Sequence, residues 1–464
     1  LAGDMRLRTS FTGRKGQPIA IDVECQRLGS APRPVVRLID ARGVQLAWSP
    51  PHAELGGDAR IDATLPNDGV YTVEVHDLLY RAAAPGAVRV KIGEFSWANL
   101  VFPTGVKRGA ASVVEWRASR LSPAGGSSLN IQDPLVTDVA VPPPSDRLFT
   151  GHLPRVAVTD GVEFAETSAA TSPGPIGRAP LAISGRLGAK GEEDRFTVEV
   201  APNSKLQFDV YARRIGSPLD GVLTLLGAQG NGLASADDRP GTPDPMIEYT
   251  VPGNVDKVIV SLRDLNGRGG DEFVYRIVVR DVSRPDASVV LPVDRLNVPA
   301  GGTVLVPLQV TRQNYGGPLQ VEFNGTIPAG VTLHGTTIAP GASQGLVSVT
   351  VPAGTAPAAV VGRLTIKGGE GPDVFVRAAQ QADSATYRVR PWARTELALA
   401  ATLPGSFTIA WAADGADETL PLGWKLNRKV VVQRGMGGAG AVRLRLMSTQ
   451  PTPKKTVKQN NMDV

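Results

Sequence analysis

The feature that most limits how this chain can fold is that it repeats itself. Ile21-Asp22-Val23-Glu24-Cys25-Gln26-Arg27-Leu28-Gly29-Ser30 aligns with Phe208-Asp209-Val210-Tyr211-Ala212-Arg213-Arg214-Ile215-Gly216-Ser217, an offset of 187 residues. The same offset carries Leu38, Ala41, Gly43, Leu46 and Ala47 onto Leu225, Ala228, Gly230, Leu233 and Ala234. After a slip in the middle it returns, setting Asp77-Leu78 on Asp264-Leu265 and Arg89 on Arg276. A register kept over about seventy residues marks one supersecondary module used twice. The copies span about 1–95 and 181–283.

The module reads as a β-sandwich. Apolar residues alternate with polar ones in Tyr71-Thr72-Val73-Glu74-Val75, Phe196-Thr197-Val198-Glu199-Val200 and Leu206-Gln207-Phe208-Asp209-Val210. Val304 to Val310 and Val442 to Leu446 do the same. Turn signals stand between such runs, among them Pro66-Asn67-Asp68-Gly69, Asn266-Gly267 and Pro328-Ala329-Gly330. With 52 glycines and 38 prolines among 464 residues, a helical bundle or ordinary α/β enzyme is excluded, while 42% hydrophobic residues suffice for cores. The expectation is an all-β chain of tandem sandwich modules, two jelly-roll-like repeats plus immunoglobulin-like sandwiches.

The rest of the chain divides around the repeats. Residues 96–140 predict a small β segment, and 141–180, rich in proline and serine, a linker. A different module begins near Arg284. Its signature, Val310-Thr311-Arg312-Gln313-Asn314-Tyr315-Gly316-Gly317, recurs in part as Val432-Gln433-Arg434-Gly435-Met436-Gly437-Gly438, giving sandwiches at 284–372 and 373–464. The first repeat reads as incomplete at its N-terminal side and the last module at its C-terminal side. Either a partner or neighbouring copy completes them, or the polypeptide is longer.

Charge and cysteine content bear on partners. Basic residues number 49 and acidic ones 44, interspersed, with no basic face carrying aromatics, so nucleic acid is not an expected partner. The single cysteine, Cys25, lies on the apolar side of an alternating run and reads as a small buried hydrophobe. No stretch approaches the eighteen or so apolar residues of a membrane helix.

The second repeat resembles the bacterial pre-peptidase C-terminal domain. The likeness lies in Ser184-Gly185, Glu193-Asp194-Arg195-Phe196, Arg214-Ile215-Gly216-Ser217-Pro218-Leu219-Asp220, Ala234-Ser235-Ala236-Asp237-Asp238, Val260-Ser261-Leu262-Arg263-Asp264 and Tyr275-Arg276-Ile277. The first copy departs from it, with Arg33 in place of Asp220 and no aspartate pair after Ala47. Residues 284–464 are similar to the immunoglobulin-like modules beside such domains in very large exported planctomycete-type proteins. The resemblance implies a β-sandwich, export to the periplasm, cell surface or beyond, and no catalytic residues.

Motifs for chemistry are sparse. Metalloprotease, zinc, nucleophile-elbow and phosphate-loop patterns are absent. Gly435 to Gly440 fits Gly-x-Gly-x-x-Gly, but the alternating run after it reads as a strand, which makes a turn of it. None of His52, His76, His152 and His334 reads as part of a catalytic Ser/Asp set. Asp220, Asp237 and Asp238 are the candidate calcium ligands, since clustered carboxylates with loop carbonyls suit that ion. Asp77 with Arg89, and Asp264 with Arg276, share one spacing and are expected to be structural ion pairs. Tryptophans Trp48, Trp97, Trp116, Trp392, Trp411 and Trp424 read as core residues, or else as stacking platforms for sugars.

The function expected is a non-catalytic structural or adhesive segment of a large exported bacterial protein: a stalk, surface scaffold or extracellular fibre. Its partners would be further copies, further modules of the same polypeptide, or extracellular polysaccharide or matrix. Two alternatives stand beside it, accessory modules of a secreted hydrolase (a peptidase) whose catalytic domain lies elsewhere, and a carbohydrate- or matrix-binding module.

Overall fold

Alternation in the sequence becomes strand pairing throughout the computed structural model. It describes residues 1–83, 86–119, 125–167, 175–382, 391–412, 429–435, 438–445, 447, 458–459 and 462–463. Helix is confined to short 3-10 turns among these residues, and none of their helices is long and apolar enough to cross a membrane. One compact unit is built on residues 1–284 and a second on 285–382 with the chain from 393 onward.

The first unit opens with strands β1 (Arg6–Gly13), β2 (Pro18–Glu24), β3 (Pro34–Ile39), β4 (Gln45–Ser49), β5 (Ala59–Thr64), β6 (Gly69–Asp77) and β7 (Arg89–Gly93). They form two sheets, β1-β6-β3-β4 and β5-β2-β7. Ile19, Ile21, Val23, Val36, Leu38, Tyr71, Val73 and Val75 fill the space between. Cys25 is buried with them, as expected, and burial, then the Asp58 charge, pushes its thiol up to about 12.

A smaller sandwich follows: β8 (Ala98–Phe102), β9 (Gly105–Lys107), β10 (Ser112–Ser119), β11 (Gly126–Leu129), β12 (Asp138–Ala140) and β13 (Arg155–Thr159). Its sheets are β11-β10-β8 and β12-β13-β9, packed around Val106, Val114, Trp116 and Val156. The second repeat then uses β14 (Val162–Ala165), β15 (Pro175–Arg178), β16 (Leu181–Arg186), β17 (Glu193–Glu199), β18 (Lys205–Tyr211), β19 (Gly221–Leu226), β20 (Gly232–Ala236), β21 (Met246–Thr250), β22 (Lys257–Asp264) and β23 (Val274–Asp281). These make two five-stranded sheets, β14-β16-β23-β18-β21 and β15-β17-β22-β19-β20.

The linker expectation for 141–180 is corrected here. Residues 168–174 lie outside the described set, but β13 belongs to the small sandwich, and β14 and β15 pair in parallel with β16 and β17. Without the alternation or tight turns of a hairpin, such added parallel strands leave little trace in a sequence.

The repeats agree down to single hydrogen bonds. After β2 the chain makes a 3-10 turn, Gln26–Leu28, and after β18 the turn Arg213–Ile215. Each ends at a glycine with positive φ, Gly29 at 76° and Gly216 at 91°, where a side chain would be strained. In the first, Arg27 bonds Asp22 at 2.5 Å and Asp58 at 2.8 Å, and the Asp58 carboxylate also accepts the backbone N–H groups of Cys25, Gln26 and Arg27. In the second, Arg214 bonds Asp209 at 2.6 Å and Asp244 at 2.8 Å, and Asp244 accepts the N–H groups of Arg213 and Arg214.

The second unit contains β24 (Asp286–Leu291), β25 (Arg295–Pro299), β26 (Thr303–Gln313), β27 (Leu319–Asn324), β28 (Thr332–His334), β29 (Thr337–Ile338), β30 (Gln344–Thr350), β31 (Ala358–Gly368), β32 (Phe375–Ala378), β33 (Gln380–Gln381) and β34 (Leu397–Thr402). Sheets β28-β30-β26-β24-β33 and β25-β34-β31-β27-β29 enclose one core, with β32 also on β31. The boundary at 372/373 is therefore corrected: β34 lies between β25 and β31, and Leu397, Leu399 and Ala401 are core residues of this sandwich. Beyond it, β35 (Phe407–Trp411) and β36 (Val430–Arg434) pair as a two-stranded ribbon. Residues 441–445, expected to be a strand, carry none.

Candidate functional site

Where the small sandwich meets the second repeat, three carboxylates converge. Glu166 follows β14, Glu192 precedes β17, and Asp194 is on β17; one oxygen of each lies within 4.8 Å of the others. Asp194 is wholly buried. Its Oδ2 accepts the Tyr275 hydroxyl at 2.6 Å, while Oδ1 is buried with no hydrogen-bond donor. The backbone holds the neighbours in place, Ala189 N–H donating to Glu192 at 2.6 Å and Arg186 N–H to Glu166 at 3.0 Å. Gly185 leaves room for the Tyr275 ring, because any Cβ there would collide with it.

Electrostatics follow from this geometry. Burial, and then the charges of Glu166 and Glu192, push the Asp194 carboxyl up to about 7, against the opposing hydrogen bond from Tyr275. Burial beside Asp194 likewise drives the Tyr275 phenol well above its ordinary value. Two species relieve such a cluster: a proton on Asp194, which can then donate to Glu192, or a hard divalent cation, for which an all-oxygen set is suited. A cleft of about 380 Å³ adjoins it, lined in part by Phe102, Pro103, Arg117, Arg186 and Glu192. Asp271 bridges Arg117 at 2.7 Å and Arg186 at 2.8 Å beside it.

The calcium candidates chosen from sequence do not converge. Asp237 and Asp238 are exposed, and the Asp238 N–H bonds its neighbour's carboxylate at 2.8 Å. Asp220 contributes its backbone N–H to Asp264 at 3.0 Å. Among the described residues, Glu166, Glu192 and Asp194 are the one group of three or more acidic, histidine or cysteine side chains whose ligand atoms lie close enough to share a metal ion. Glu192 and Asp194 stood in the acidic run Glu192-Glu193-Asp194; nothing in the sequence linked them to Glu166.

The two expected ion pairs are re-partnered. Arg89 pairs with Glu24, and Arg276 with Glu163 at 2.8 Å. The aspartates instead organise loops. Asp77 accepts the N–H groups of Arg33, Leu79 and Arg81, and Asp264 those of Asp220, Asn266 and Arg268. Every donor pair keeps the 187-residue offset. Because position 33/220 supplies a backbone N–H, arginine in one copy and aspartate in the other serve equally. Asp264 also binds the Arg268 guanidinium at 2.9 Å; burial opposes its charge, but these partners hold its carboxyl down at about 2.

One histidine is better placed than the sequence reading allowed. His52 Nε2 lies 3.1 Å from Ser49 Oγ, and its Nδ1 3.4 Å from Glu54. The order resembles a nucleophile, a base and an orienting acid. Yet Ser49 is 4% exposed, its hydroxyl donates to Pro50 O, and it accepts the Arg60 N–H. A hydroxyl so enclosed is a structural link between β4 and β5.

The tryptophans separate into two kinds. Trp116 is buried and Trp97 lies beneath the Arg60 guanidinium at 3.9 Å, whereas Trp48 and Trp411 are 58% and 66% exposed. Trp424 and the side chain of Trp392 lie outside the described residues.

No family model matches the chain, and no curated protein matches it. Among solved structures it is similar to the M60 catalytic domain with CBM51-1 and CBM51-2 domains of Clostridium perfringens ZmpB, at 9% identity over 81% of this chain and 40% of that one, TM-score 0.24. It is similar to elastase-activated Escherichia coli α2-macroglobulin, at 10% identity over 89% and 44%, TM-score 0.18. The four N-terminal immunoglobulin domains of Dscam1 isoform 4.44 match at 11% identity over 75% and 91%, TM-score 0.14. The chain spans less than half the length of the first two. Its all-β architecture rests on its own strands.

Proposed function

We propose that this chain is a non-catalytic structural segment of a large exported multi-domain bacterial protein, a string of β-sandwiches serving as stalk, surface scaffold or extracellular fibre. The resemblance of the second repeat to pre-peptidase C-terminal domains belongs to this reading.

The observation that carries it is how the three sandwiches of the first unit are joined. The chain leaves β13 in one sandwich and, with only two residues between, enters β14 in the next sandwich's sheet. Thr104 Oγ1 meets Ser184 Oγ at 2.9 Å across that junction, and the Thr104 N–H donates to the same serine oxygen at 3.1 Å. At the other junction Thr150 and Gly151 donate to Asp22 at 2.7 and 3.1 Å, and Arg60 donates to Asn99 at 2.9 Å. Buried polar bonds of this kind are costly to break, because each leaves an unsatisfied partner. Joints without slack suit a part that transmits force or keeps a spacing.

The test is hydrogen exchange of the full chain through a denaturant series. Coincident loss of protection in the three sandwiches supports a single load-bearing piece. Separate transitions at widely spaced denaturant concentrations would remove its support.

A further inference from the structure

The outward face of the first repeat's four-stranded sheet carries a row of side chains that the fold does not require. Cross-strand register sets Trp48 opposite Arg37, Arg37 opposite Glu74, and Glu74 opposite Arg8, one residue from each strand. Directly opposed residues share a face, and neighbouring strands are about 4.8 Å apart. Trp48 is 58% exposed at one end of the row. Glu74 is covered by three guanidinium groups: Arg8 bonds it at 2.8 Å, and Arg6 and Arg37 stand off at 3.9 Å. That separation is too long for a hydrogen bond, so the donors of Arg6 and Arg37 are not spent on Glu74. Three cations around one carboxylate leave two positive charges unbalanced on this face, and one of the three, Arg37, stands opposite the open indole.

The second repeat shows that the frame stands without them. Its matching row, at the same offset, is Ser235, Thr224, Ser261 and Arg195, in the same register. There the Thr224 and Ser235 hydroxyls simply meet at 3.2 Å. One copy thus keeps small hydroxyl residues at three of the four positions, retaining only the arginine at 195, where the other has an aromatic plate, a carboxylate and a further arginine.

We propose that this face binds an acidic polysaccharide, Trp48 stacking on a sugar ring while Arg37 and its neighbours hold the uronate carboxylates. Three features match that ligand. Guanidinium groups pair with carboxylates in fixed, often two-pronged geometry. An exposed indole offers a broad apolar plate with little conformational freedom to lose. The strand spacing is close to the length of one pyranose residue, so a chain laid across the strands presents successive sugars to successive members of the row. The inference goes beyond the structural role and does not depend on it.

The experiment measures binding of the full chain to polygalacturonate at low salt, with its methyl-esterified form and polyglutamate as controls. Trp48→Ser and Arg37→Thr replace residues by those the second repeat carries, and unchanged thermal unfolding verifies each fold. The expected result is that polygalacturonate binds, salt weakens it, and either substitution raises Kd about tenfold or more. Esterified polymer should bind more weakly, and polyglutamate should be insensitive to Trp48→Ser. Absence of polygalacturonate binding, or binding unchanged in the double variant, overturns the proposal. Equal affinity for polyglutamate with the same loss in Trp48→Ser would also overturn it, by showing a general polyanion surface. Intact cooperative unfolding in a variant that no longer binds would separate this site from the load-bearing role.

Discussion

Thr150 donates its hydroxyl to Asp22 at 2.7 Å, both residues buried and 128 positions apart in the chain. Asp22 also receives Arg27 from its own sandwich, so one carboxylate serves both an internal clamp and the junction with the next module. Burial pushes its carboxyl up, but Arg27, Thr150 and Lys91 outweigh that and hold it below the ordinary range. Thr150→Val keeps the shape and removes the donor, and is expected to cost about 1 kcal/mol. Hydrogen exchange should show the loss spread over both sandwiches; an effect confined to residues near 150 would mean that the junction does not couple them.

The arginine clamps should differ in strength. Arg27→Met leaves Asp22 and Asp58 buried without their cation, and breaking such a pair costs about 3–5 kcal/mol. The Arg214 side chain is 27% exposed against 6% for Arg27, so water screens the same loss there and Arg214→Met is expected to cost less. Denaturant midpoints of the two variants check the order.

Asp194 makes stability depend on pH in an unusual direction. Its folded-state value of about 7 lies above the ordinary 3.8, so the folded protein binds this proton more tightly than the unfolded chain. The contribution is fully present at pH below about 4 and is lost as pH rises to about 7. Asp194→Asn, which is always neutral, should therefore gain stability relative to the parent across that window. Calorimetry of both proteins from pH 4 to 8 tests this, and parallel curves would refute it.

Asp264 acts with the opposite sign. Held down at about 2, its carboxylate contributes stability above pH 3.8 that is lost as pH falls through 2. Asp264→Ala removes the acceptor of three loop N–H groups and should cost about 1–3 kcal/mol at neutral pH. Asp264→Asn should cost less than alanine; equal losses would show that the loop does not depend on the acceptor.

Gly185→Ala places a methyl group against the Tyr275 ring. Overpacking of this kind costs about 1–3 kcal/mol, and displacement of the phenol should also shift the Asp194 titration. A variant as stable as the parent would show that the ring can move aside.

The architecture was legible because its signals were local or repeated: alternating strands, turn residues and one offset of 187. That offset located the loop aspartates 77 and 264 but not their partners. Equal spacing pointed from Asp264 to Arg276, whereas Arg276 turns to Glu163, on a strand of the second repeat that has no counterpart in the first to compare. Asp58 and Asp244 were missed because a loop of different length shifts their offset by one residue. Parallel strands such as β14 and β34 lack a hairpin to announce them, so a sheet edge was read as a linker and a core strand was assigned to the next module. The carboxylate cluster was half visible, as two acids in one run whose third member joins only through the fold.

The place of Leu397–Thr402 in the second unit has a consequence for synthesis. β34 separates β25 from β31, so β25 has no neighbour in its sheet until the ribosome has passed residue 402. Long-range pairing of this sort is slow to form. Until then the edge of β25 stays open, and the sandwich closes only when its latest-made strand arrives.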